Sequence, residues 1–141
     1  MQRLMGFVLA VLLFSSGCDD RSYREIGASI DILTKKSDGL PGPAIARLAK
    51  IGRPAVPQIE TAMHTASARG KVNLVAALAA VGEPESTAIL QHFAVYDRSP
   101  EVRSACDDLL AQWARLDDAR GVAAKNAMER VAEKRRLAQA E

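Results

Sequence analysis

Two seven-residue strings set thirty positions apart constrain this chain more than any other feature. Leu48-Ala49-Lys50-Ile51-Gly52-Arg53-Pro54 and Leu78-Ala79-Ala80-Val81-Gly82-Glu83-Pro84 agree at Leu, Ala, the β-branched residue, Gly and Pro. A period of that length is the mark of stacked supersecondary repeats. Each matched position has a physical role. Leu and Ile or Val are the last core residues of one helix. Gly52 and Gly82 supply the left-handed conformation that ends it. Pro54 and Pro84 suit the first turn of the next helix, where a missing N–H costs nothing.

Between these breaks the apolar spacing is helical. Val56, Ile59 and Met63 mark one helix; Leu74, Val75, Leu78 and Val81 mark the next. Ile89, Leu90 and Phe93 follow. Val102, Ala105, Cys106, Leu109, Leu110 and Trp113 then form a wide apolar face at i, i+3, i+4, i+7, i+8 and i+11. Ser99 is placed to cap that helix, with Pro100 at its first position and Glu101 against the positive end of its dipole. Upstream, Ile26, Ile30 and Leu33 predict a helix broken by Asp38-Gly39-Leu40-Pro41-Gly42-Pro43, and Ala44, Ile45, Leu48 and Ile51 predict its successor. The expected fold is all-α: three helix pairs over about 22–52, 54–82 and 84–114, stacked as a short α-solenoid. Aromatics at 4% and an Ala, Leu, Val and Ile core agree with close-packed helices rather than a β-sandwich. Within 115–141, Asp117-Asp118 can open a last helix whose stripe is Ala124, Met128 and Val131. A capping helix is the first expectation there, a frayed tail the second. Lys134-Arg135-Arg136 is expected as a solvated face, with an anionic-lipid contact as the alternative.

These residues resemble HEAT-like repeats. The likeness rests on Ile51-Gly52-Arg53-Pro54-Ala55-Val56-Pro57 and on Asp97 six residues before Arg103. It covers about Ile45 to Trp113, half the chain. Gly70-Lys71 departs from it where the next repeat has Val102-Arg103, and Thr87 stands where a second Pro is expected. The resemblance implies a scaffold whose second helices line a concave face. The candidate partner-binding residues are then Arg47, Lys50, Asn73, Arg103 and Asp107. The bland alternative is that Arg103 pairs with Asp97 in a ladder between repeats and Lys50 only keeps its helix soluble. Some HEAT-like relatives are lyases that attach bilin pigments, so a lyase acting on a chromophore is a second functional expectation. Structural self-association through the last helix is a third.

The start of the chain reads as an export signal. Met1-Gln2-Arg3 is positive, Leu4 to Phe14 is an eleven-residue apolar run, and Ser15-Ser16-Gly17 is small. Eleven helical residues span about 17 Å, roughly half of a ~30 Å bilayer core. Phe14-Ser15-Ser16-Gly17-Cys18 resembles the lipobox of bacterial lipoproteins, departing from it at Ser15, where Leu is usual. The resemblance implies removal of 1–17, diacylglyceryl attachment to Cys18 and a lipid-anchored periplasmic domain behind a tether at 18–21. Several acyl chains on one residue hold far more firmly than one. Asp19 resembles an inner-membrane retention signal. The alternative is an ordinary signal peptide cut near a cysteine.

No marked chemistry accompanies this address. His64 and His92 sit on the first helices of different repeats, without a second ligand at metal spacing. There is no nucleophile elbow and no Gly-rich phosphate loop. Asp107 and Asp108 point about 100° apart on a helix and do not share a site. Cys106 lies in an apolar stripe and is expected as a small core residue. No catalytic residue, metal or cofactor is expected, and a net charge of +2 gives no field for nucleic acid. The partner expected is a protein of the envelope.

Overall fold

The structure, a computed structural model, describes residues 17–35 and 41–141, with side chains from Asp20 onward. The apolar run and lipobox residues up to position 16, and positions 38–40 of the helix break expected at 38–43, lie outside the described residues; Pro41, Gly42 and Pro43, expected in that break, form the first turn of α2. Among the described residues there are seven α-helices and no strand: α1 Gly17–Thr34, α2 Pro41–Ile51, α3 Val56–Thr65, α4 Ala68–Val81, α5 Ser86–Tyr96, α6 Pro100–Trp113 and α7 Ala119–Ala138. The all-α expectation therefore holds. Residues 18–21, expected as a tether, form part of the first turns of α1. None of these helices is long and apolar enough to cross a membrane.

The breaks fall where the repeat places them. Gly52 and Gly82 are the two residues with positive φ among those described, at 76° and 72°. Gly82 closes α4 in the left-handed conformation and donates its N–H to the Leu78 carbonyl. Gly52 differs, because its ψ of −140° sends the chain into a 3-10 turn over Arg53–Ala55 before α3. Pro84 precedes α5, and its carbonyl accepts from both the N–H and the hydroxyl of Thr87. Thr87 thus ties down the helix start where a second Pro was expected. Ser67, Ser99 and Asp118 cap α4, α6 and α7 through side-chain oxygens, each worth about 1 kcal/mol.

Consecutive helices pack as pairs: α1 on α2, α3 on α4 and α5 on α6. Across pairs, α4 lies against both α2 and α6, and α7 packs across α5 and α6. The interior runs unbroken from Ile26 and Leu33 through Leu48, Leu74 and Leu90 to Trp113. α7 presents Gly121, Ala124, Ala127 and Val131 inward. Met128, expected in that stripe, is instead 39% exposed. Its neighbour Ala127 takes the inward place.

One polar link joins the turns of the second and third pairs. Lys71, in the first turn of α4, donates to the Asp97 carboxylate at 2.5 Å, and the two side chains are 17% and 4% exposed. Lys71 occupies the register of Arg103, so the departure Gly70-Lys71 still supplies a cation there. The expected Arg103–Asp97 side-chain pair is corrected by this geometry. Arg103 donates to the main-chain carbonyls of Asp97 at 2.7 Å and Arg98 at 3.2 Å, while Lys71 takes the carboxylate.

Candidate ligand-binding cleft

Both histidines meet at the edge formed by the α3–α4 and α5–α6 turns. α3 carries His64 in its last turn. α5 carries His92 and Tyr96, four apart and therefore on one helix face. The His64 and His92 ring centroids are 5.9 Å apart, and each lies 5.2 Å from the Phe93 ring. Tyr96 stacks 5.1 Å from His92 and is 58% exposed. Lys71 and Arg98 complete the walls of a shallow cleft of about 260 Å³. Lys134 of α7 reaches over Tyr96 at 5.4 Å from the ring centroid.

The electrostatics follow from what each group touches. Burial alone would raise the Asp97 carboxyl. The Lys71 hydrogen bond, the Ser99 N–H at 2.9 Å and the charges of Lys71 and Arg103 outweigh it, so the group is held below the usual carboxylate range. The Lys71–Asp97 pair is internally neutral. Arg98 is exposed, and among the described residues it has no carboxylate partner. The cleft thus offers imidazole, phenol and guanidinium groups beside a flat apolar floor. It can hold a partner side chain through stacking and hydrogen bonds.

The residues expected at a binding surface divide. Arg47 and Lys50 are exposed on α2. Asn73 donates to the Leu33 carbonyl at 3.0 Å, tying α4 to α1. Arg103 is spent on the turn, as described above. Asp107 accepts from Arg135 of α7 at 2.9 and 3.1 Å, an ion pair joining α6 to α7. Three of the five therefore hold the fold together. The cleft itself escaped the sequence reading because its members are scattered between positions 64 and 98. One signal was available: with the thirty-residue period, His92 falls within two residues of the position equivalent to His64.

Cys106 is fully buried on α6. Burial first, and then the negative charges of Asp107 and Asp97, push its thiol up to about 12. At pH 8 it is expected to resist a thiol-reactive probe in the folded protein and to label completely in denaturant, read by intact mass. Rapid labelling without denaturant would mean that α6 opens readily.

No family model, no curated protein and no solved structure matches the chain. The chemistry of the cleft therefore rests on its own side chains.

Proposed function

We propose that the protein is a lipid-anchored binding module of the bacterial envelope, in which a short solenoid of HEAT-like helix pairs presents the histidine–aromatic cleft to another envelope protein. The observation that carries this is concentration. In a chain with 4% aromatics, both histidines, Phe93 and Tyr96 gather at one exposed edge. The solenoid part is supported by the way α4 lies between α2 and α6 while each pair packs internally.

The anchor and the cleft fall at opposite edges. Asn73 bonds the last turn of α1, so the end of α1 lies at the cleft edge. α1 is 18 residues long, and its start lies about 24 Å of helix away from Leu33. Lipid on Cys18 would then hold the domain from the far side and leave the cleft facing away from the bilayer. Asp19 places it in the inner membrane on this reading.

Four measurements test the parts separately. Mass spectrometry should find the chain cut before Cys18 and acylated there. Cys18→Ser should release the domain from the membrane fraction, and an intact Met1 with a bare sulfur at position 18 would sink the anchor. Asp19→Ser should move the protein to the outer membrane. Crosslinking in intact cells should give a product that His92→Ala with Tyr96→Ala removes and that charge reversal of Arg47 and Lys50 leaves. The opposite pattern would move the surface to α2.

A further inference from the structure

We propose that His64 and His92 together form a divalent transition-metal site bridging α3 and α5, binding Cu2+ most tightly and Ni2+ or Zn2+ less so. The inference does not depend on the docking reading or on the lipid anchor.

Distance is the first argument. A metal held at about 2.0–2.1 Å from an imidazole nitrogen lies roughly 3.1 Å from that ring's centroid. Two rings sharing one ion then have centroids about 5 Å apart in tetrahedral geometry and at most about 6 Å apart in linear geometry. The observed separation is 5.9 Å, with the planes tilted by 56°. Both side chains are exposed.

Availability is the second. Among the described residues no hydrogen bond engages either imidazole, while Lys71 and Asp97 beside them are already paired. Asp97 is taken by Lys71, so the only carboxylate in the cleft neither competes for the histidines nor joins them. A neutral imidazole with a free nitrogen lone pair is what late first-row ions take up, in the order Ni2+, then Cu2+ above all, then Zn2+. Mg2+ and Ca2+ require oxygen donors that the cleft does not offer.

The surroundings set the strength. Among the described residues no group of three or more His, Cys, Asp or Glu side chains converges. The protein therefore contributes two ligands, and water or a partner's donor fills the rest. Lys71 is neutralised by Asp97. Among the described residues Arg98 and Lys134, which lies over Tyr96, are cations nearby without a carboxylate partner, and water screens their charge at the surface. The site is open and exchangeable, unlike a closed structural zinc site.

Isothermal titration of the full-length chain in detergent with Ni2+ and Cu2+ tests this. The expected result is one saturable equivalent. His64→Ala or His92→Ala should weaken it by more than about tenfold, at least what loss of a group one shell further out costs. The double variant should abolish it. Paramagnetic resonance of the Cu2+-loaded protein should show equatorial nitrogen couplings that vanish in the double variant. Circular dichroism checks that the variants keep their helices, and His64→Gln with His92→Gln repeats the test with side chains of similar size. Binding weaker than about 1 mM, or equally tight in the double variant, overturns the proposal. So does a loss of less than tenfold in the single variants.

Discussion

Asp97→Ala is expected to lower the free energy of unfolding by about 3 kcal/mol at pH 7, the lower end of the range for breaking a buried ion pair. Two interactions disappear together, and with the first goes the link between the second and third helix pairs. Lys71 loses its carboxylate and is left 17% exposed beside the Phe93 ring. The Ser99 N–H loses its acceptor at the start of α6. The lower end is appropriate because Lys71 can turn its ammonium toward water. The sign of the pH dependence follows from the depressed carboxyl. A group ionising more readily when folded stabilises fully above its unfolded value of about 3.9 and loses that contribution as pH falls through its lower folded value. Urea unfolding should therefore show the same gap between wild type and Asp97→Asn at pH 7 and pH 5.5. Below about pH 4 the gap should narrow. A gap that stays flat down to pH 3 would mean that the charge on Asp97 does not hold this turn.

That link also shows where the sequence could and could not be read. Helix identity and order were legible because the interior is built from i, i+3 and i+4 spacings, which survive any detail of packing. Ile59, Met63, Leu74 and Leu78 are all fully buried where periodicity placed them. Side-chain partnership was less legible. Asp97 has cations at 71 and 103, and sequence distance favours Arg103. Tertiary packing brings Lys71 to the carboxylate and leaves Arg103 on main-chain carbonyls. The same limit hid the cleft, since His64 and His92 are separated by a full helix pair and meet only when α3 and α5 share an edge. In α7 the stripe was read one residue off, at Met128 instead of Ala127. A helix rich in alanine carries little apolar contrast, so its orientation is set by what it docks on.

Gly121→Ala is expected to cost about 3 kcal/mol, at the upper end of the cost of overpacking, and to loosen α7 selectively. Gly121 lies in the first turn of α7, under the connection from α6. A Cβ there would sit 1.9 Å from the Leu116 carbonyl oxygen and 2.9 Å from its carbon. Backbone cannot rotate away as a flexible side chain can, so the connection or the helix has to move. Asp118 caps the same turn through the N–H groups of Arg120 and Gly121, which ties the connection down further. What α7 loses by moving is modest in area but specific. Ala124, Ala127 and Val131 leave the α5–α6 surface. Arg135 leaves the Ala94 carbonyl at 2.6 Å and the Asp107 carboxylate. Hydrogen exchange should then speed up along α7 while α2 and α4, which are not among its main packing partners α5 and α6, keep their protection. Unchanged exchange in α7, with stability within about 0.5 kcal/mol of wild type, would place this substitution among ordinary surface changes and show that the turn yields freely. Speeding along the whole chain would instead mean that the last helix is part of one cooperative unit, because it packs across both α5 and α6 at the end of the stack. The selective outcome carries a consequence for the cleft: Lys134 covers Tyr96 only while α7 is docked, so a loosened α7 should leave that ring more open to solvent without disturbing His64 on α3.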